Sequence, residues 1–254
     1  MTENLLASPH LLALCGLAVV LVGLSKGGLG GMSLMGVPLL ALAMPPMTAA
    51  ALLLPILVAM DALSVVTWRK HVDGQILRLV LPSAMLGIGF GWLTAEVVSD
   101  AMVRLIVGAV SLAFVARVLW ARWGPRSHPG EPRRWFGRAC GTTAGYTSFV
   151  AHAGSPPLQI YLLPLGLDPK LFTGTSVVFF AVTNLVKLVP YFALGELDGQ
   201  ILLVSAALLP LALASTWAGA QIVRRLRAEI FYPFTYTSVA LVGLKLVWDG
   251  LSGL

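Results

Sequence analysis

Charge is what this chain is shortest of. Aspartate, glutamate, lysine and arginine make up 11% of its 254 residues, against about 25% in an average soluble domain. With 57% hydrophobic residues and a mean hydropathy of +0.87, that shortage excludes an ordinary soluble domain and points to an integral membrane protein. Cysteine is scarce as well. Cys15 and Cys140 stand alone with no CxxC, so neither a disulfide framework nor a metal site is implied, and both read as packing residues. The alternating ~10-residue segments of a transmembrane β-barrel are missing. The opening "MTENLLASPH" has no basic region, and no cleaved signal peptide is expected. No acid–base pair, nucleophile motif or metal cluster supports an enzyme, and no cofactor is expected. The net charge of +6 sits mostly in loops, where it reports orientation and not nucleic-acid binding.

What is present is a set of apolar runs near the ~20 residues that a membrane-spanning helix needs, and a repeat. "VDGQIL" at 72–77 returns as "LDGQIL" at 197–202. The same ungapped shift of 125 carries Cys15-Gly16 onto Cys140-Gly141, Thr48 onto Thr173, Trp92 onto Trp217 and Trp123 onto Trp248. The chain therefore reads as two homologous halves, 8–123 and 133–250, joined by a basic cytoplasmic linker, 124–132. In membrane proteins such repeats typically mark transporters.

Basic residues orient the halves. Arg69 and Lys70, the central cluster Arg122, Arg126, Arg133, Arg134 and Arg138, and the cluster Arg224, Arg225 and Arg227 go to the cytoplasmic side. The acidic loops near Glu96–Asp100 and Glu196–Asp198 go outside. Helices are expected over 48–68, 75–95, 101–121, 171–192, 199–221 and 231–250. Segment 138–170 then begins and ends inside, so it should enter the membrane, turn and leave. By symmetry 8–47 does the same from outside. The expected fold is an all-α polytopic membrane protein of two inverted-topology repeats, each a broken re-entrant helix pair plus three transmembrane helices. Both termini come out periplasmic. The alternative counts 8–24 and 28–43 as simple spans, which makes the repeats parallel.

The two breaks are "SKGGLGG", 25–31, and "AHAGSPP", 151–157. Each sets one ionisable side chain, Lys26 or His152, within a residue of the same repeat position. Glycine clusters and Pro-Pro interrupt helices, and irregular backbone at membrane depth belongs in protein or against a water-filled cavity. A restarting half-helix offers unpaired N–H groups to an anion. The candidate binding residues are Lys26, Gly27, Gly28, Gly30, Gly31, His152, Gly154 and Ser155. A buried lysine costs at least ~2.5 kcal/mol, which calls for a partner, and an anionic substrate would serve. The competing reading of Lys26 is a side chain that snorkels to the surface; of His152, a satisfied core histidine; of the glycines, close helix packing.

Ser176, Phe180, Asn184, Lys187 and Tyr191 fall on one face of a single helix. They read as a pathway lining, with Asn184 and Lys187 added to the binding set; the alternative makes Lys187 and Tyr191 interface anchors. Asp61, the one acid within an apolar span, reads as a proton relay, an ion ligand or a partner for Lys187. Helix rise puts Asp61 and Lys187 at different depths, so a direct pair is not assumed. Thr173 and Thr175, just after Lys170, read as helix caps.

The breaks "KGGLGG" and "AHAGSPPLQIYLLPL", the stretch "GTSVVFFAVTNLVKLVPYFALGELDGQIL" and the doubled DGQ resemble the sulfite exporter TauE/SafE family of the 4-toluene sulfonate uptake permease superfamily. Many members carry Gly-x-Gly-Gly-Gly in both breaks. Here the first reads Lys26-Gly27-Gly28-Leu29-Gly30-Gly31 and the second Gly154-Ser155-Pro156-Pro157, a departure that bears on substrate more than on fold. The resemblance implies a bacterial inner-membrane transporter of small sulfur-containing anions such as sulfite, thiosulfate or an organosulfonate, for example sulfoacetate. The expected mechanism is alternating access around a midplane anion site. One charge crossing 100 mV is worth ~2.3 kcal/mol, so a negative interior drives an anion out without a coupling ion. The alternatives are a passive anion channel and a proton-coupled uptake permease. The expected partners are the anionic substrate and the lipid bilayer, with a coupling proton and a homodimer left open.

Overall fold

The computed structural model describes residues 9–28, 40, 46–94, 99–121, 134–150, 153–193 and 199–253. Among them the chain is all helical. The helices are α1 (Pro9–Lys26), α2 (Pro46–Trp68), α3 (Gly74–Thr94), α4 (Asp100–Ala121), α5 (Arg134–Val150), α6 (Ser155–Leu162), α7 (Pro169–Ala193), α8 (Gly199–Arg225) and α9 (Ala228–Ser252), with a short 3-10 turn, Leu163–Leu165, after α6. Among the described residues five stretches are long and apolar enough to cross a membrane: Gly74–Thr94, Ala101–Trp120, Pro169–Pro190, Ile201–Arg225 and Ala228–Ser252. They are the lipid-length helices of a multi-pass membrane protein. Helix α2 adds a shorter apolar stretch, Leu52–Trp68, that carries the buried Asp61.

The helix boundaries keep the register of the repeat. Helix α5 starts 125 residues after α1, and α8 starts 125 residues after α3. The DGQ copy at 73–75 explains one of those starts. Asp73 Oδ1 accepts from the N–H groups of Gln75 (2.9 Å) and Ile76 (3.0 Å), which caps α3 and satisfies donors that the first turn cannot. Asp198 of the second copy lies outside the described residues.

Packing follows the same exchange. Helix α1 packs along α8, and α5 along α3; α2 meets α8 as α7 meets α3; α2 faces α7, and α4 faces α9. Moving any of these pairs along the chain by the repeat distance returns another pair of the set, or the pair itself. The halves are therefore interleaved, and the main core clusters draw side chains from both. The seams are close because small residues line them. A Cβ at Gly145 would lie 2.1 Å from the Ala84 carbonyl oxygen, and one at Gly27 2.4 Å from that of Thr216. Here the packing reading of the glycines describes Gly27. Cys15 and Cys140 are buried free thiols, as packing residues are.

Candidate functional site

The first break is held by side chains of α2. After α1 ends at Lys26, Gly28 takes φ +130, a backbone region that glycine enters without penalty. The carbonyls left unpaired at this helix end find donors: Ser64 Oγ donates to Lys26 O at 3.0 Å and Trp68 Nε1 to Gly27 O at 3.1 Å. That clasp lays the Lys26 side chain beside α2. Its Nζ lies 2.6 Å from Asp61 Oδ1 and 5.4 Å from the centre of the Phe180 ring. Asn184 Nδ2 donates to the other carboxylate oxygen at 2.7 Å. Asp61 is thus a double acceptor that ties α1, α2 and α7 together.

The second break is clasped from within. Ala153 N donates to Thr147 O at 2.9 Å, and the Thr147 hydroxyl donates to Ala153 O at 3.0 Å. Helix α6 restarts at Ser155 and is wholly buried over its eight residues. Pro156 and Pro157 begin this half-helix; their fixed φ suits a first turn. They also carry no N–H, which removes two of the donors that the restart would otherwise offer. Ser155 Oγ accepts from Gln159 Nε2 at 3.2 Å. Gly154 approaches α5 closely: a Cβ there would lie 2.7 Å from the Ala144 carbonyl oxygen.

Between the breaks lies a cavity of about 100 Å³, walled by α1, α2, α5, α6 and α7. Of the residues singled out in the sequence, Lys26, Gly28, Gly154, Ser155, Thr173, Ser176, Phe180, Asn184 and Lys187 line it. Gly27 faces α8 instead. Gly30, Gly31 and His152 lie outside the described residues, as does the side chain of Tyr191.

Lys187 is the buried cation of this wall, 1% exposed. Its Nζ donates to Ser148 O (3.2 Å) and Ser148 Oγ (3.1 Å). Among the described residues no carboxylate lies within ion-pair distance of it. Burial at 1% is incompatible with an interface anchor, and pairing with Asp61 is incompatible with a snorkelling Lys26.

Two expectations change. Lys26 has an internal carboxylate partner, so a substrate is not needed to offset its burial. Thr173 and Thr175 are not caps, because α7 already begins at Pro169 and Asp168 Oδ1 takes the N–H of Lys170 at 2.9 Å. Thr175 Oγ1 accepts from Asp73 N at 3.0 Å, and Thr173 points into the cavity. The Thr173 and Ser176 hydroxyl oxygens are buried with no hydrogen-bond partner among the described residues. Thr173 extends the 176–180–184–187 face by one turn, a signal that proximity to the helix start obscured. Ser148 and Gln159 had no such signal; only the fold brings them to the cavity. Among the described residues no group of acids, histidines and cysteines could hold a metal.

The model of one protein family, described as sulfite exporter TauE/SafE, matches residues 15–246. No curated protein and no solved structure matches the chain.

Proposed function

This chain belongs to the sulfite exporter TauE/SafE family, since the match covers nearly all of it, and from that premise we propose that it exports a small sulfur-containing anion, sulfite or a small organosulfonate, across the bacterial inner membrane. The observation that carries this reading is the cavity between the two helix breaks. Among the described residues it holds a buried lysine without a carboxylate, Lys187, and two hydroxyls without partners, Thr173 and Ser176. Buried polar groups are normally satisfied, and membrane transporters place small-ion sites at helix interruptions of this kind. An oxyanion would supply the missing acceptors.

Lys26, Gly28, Gly154, Ser155 and Asn184 share the wall, and Asp61 orients Lys26 and Asn184. The two halves are inverted relative to each other and rock about the cavity, which opens it to each side in turn. The exchange of helix partners between the halves supports this reading, because rigid-body rocking needs equivalent seams on both sides. A negative interior favours outward movement of each negative charge by ~2.3 kcal/mol per 100 mV, so export requires no coupling ion.

The test is flux of radiolabelled sulfite and a sulfonate panel through purified protein in liposomes. Saturable flux with counterflow is the expected result; unsaturated conductance makes the protein a channel. Retention of wild-type flux and affinity by Lys26→Ala across the panel would remove Lys26 from the site.

A further inference from the structure

The cavity's charge can be counted. Among the described residues, the ionisable side chains on its wall or bonded to that wall are Lys26, Asp61 and Lys187. Lys26 and Asp61 neutralise each other at 2.6 Å. Among the described residues Lys187 has only Ser148 as partner. With Lys187 protonated, the described wall therefore carries one formal positive charge, placed on the face of α7 that also presents the Thr173 and Ser176 hydroxyls, which have no partner among the described residues.

The geometry points to a selectivity rule: Lys187 is the counter-ion for a single negative charge, Thr173 and Ser176 are the hydroxyl donors to its oxygens, and the Lys26–Asp61 pair adds no net charge while it is intact, so that the preferred substrate is a compact monoanion such as an alkanesulfonate or hydrogensulfite. This rests on the reading above in taking the cavity as the anion site. A monoanion neutralises the wall. A dianion leaves one buried charge uncompensated, and burying an unpaired charge is costly. Neutralising Asp61 would raise the wall to two positive charges and should favour a dianion. Neutralising Lys26 would lower it to zero and should remove the attraction for a monoanion.

Methanesulfonate and sulfate test the rule, being close in size and fixed at one and two charges. Binding of each is measured by calorimetry on purified full-length protein in detergent at pH 6, which favours the charged form of a buried lysine, in a His152→Gln background that removes the imidazole of the second break, at matched ionic strength. Wild type should prefer methanesulfonate by about tenfold or more. Asp61→Asn should shift that ratio toward sulfate by about tenfold. Lys187→Met should abolish methanesulfonate binding, and Thr173→Val and Ser176→Ala should each weaken it several-fold. The double variant Lys26→Met/Asp61→Leu removes the pair without changing the net charge; it should weaken both anions, because wall contacts are lost, and still prefer methanesulfonate over sulfate, even if Asp61→Asn alone does not fold. A sulfate preference in wild type, an unchanged ratio in Asp61→Asn, or a double variant that prefers sulfate overturns the rule. Liposome flux separates this rule from the transport reading. Sulfite flux with no charge-dependent binding overturns the rule alone. Charge-dependent binding with no flux of any sulfur anion overturns the transport reading alone.

Discussion

Lys26, at the end of α1, and Asp61, in the middle of α2, form a buried ion pair at 2.6 Å, and Asn184 of α7 completes the same carboxylate. Three helices from both halves thus meet on one side chain. Because Asp61 is 2% exposed, losing one member strands the other in a low-dielectric setting, which costs about 3–5 kcal/mol, whereas replacing both by apolar residues is often near neutral. Lys26→Met and Asp61→Leu alone should each lower the thermal transition of the detergent-solubilised protein clearly. The double variant should recover most of the loss. Additive losses in a double-mutant cycle would mean that the pair is not coupled.

The helix seams make a second prediction. A methyl group at Gly145 would meet the Ala84 carbonyl oxygen at 2.1 Å, while one at Gly89 would meet nothing within 4 Å. Backbone cannot yield cheaply, so Gly145→Ala should cost roughly 1–3 kcal/mol or more through overpacking. Gly89→Ala, in the same membrane environment, should be neutral or stabilising by about 0.4–1 kcal/mol. Yields of monodisperse protein and melting temperatures of the two variants check this, and equal behaviour would reject the close-packed seam.

The repeated DGQ should prove structural. Asp73→Ala removes the acceptor for two N–H groups at the start of α3 and should cost about 0.5–2 kcal/mol. Asp73 lies off the cavity wall, so the ratio of sulfonate to sulfate affinity should not move. A changed ratio with unchanged stability would reassign the motif to the transport pathway.

Inversion of the halves predicts opposite sidedness at two chosen positions. With Cys15 and Cys140 replaced by alanine, single cysteines at His10 and His128 should be labelled by a membrane-impermeant maleimide from opposite sides. Labelling of both from one side would establish parallel repeats and a different way of opening the cavity.

Much of the architecture could be read from residue types alone. Scarce charge and long apolar runs specify a polytopic helical protein because the bilayer forbids unpaired backbone and unpaired charge. The six long helices fall within a few residues of their expected positions, since their limits are written in turn and capping chemistry. The face through Ser176, Asn184 and Lys187 was visible because a helix repeats every 3.6 residues. Lys26 and Asp61 each stood out as charges in apolar surroundings, yet nothing local joined them: they are 35 residues apart, and helix rise gives depth but not the tilt or rotation that brings side chains together.

The sequence by itself determined the repeat, the helical membrane fold and the two interruptions, because periodicity, hydropathy and helix-breaking residues are local properties. Only the tertiary structure decided which charges cancel. Pairing depends on how interleaved helices turn their faces across glycine seams. That packing gave Asp61 to Lys26 and Asn184, and left Lys187 facing the cavity with Ser148 as its partner among the described residues.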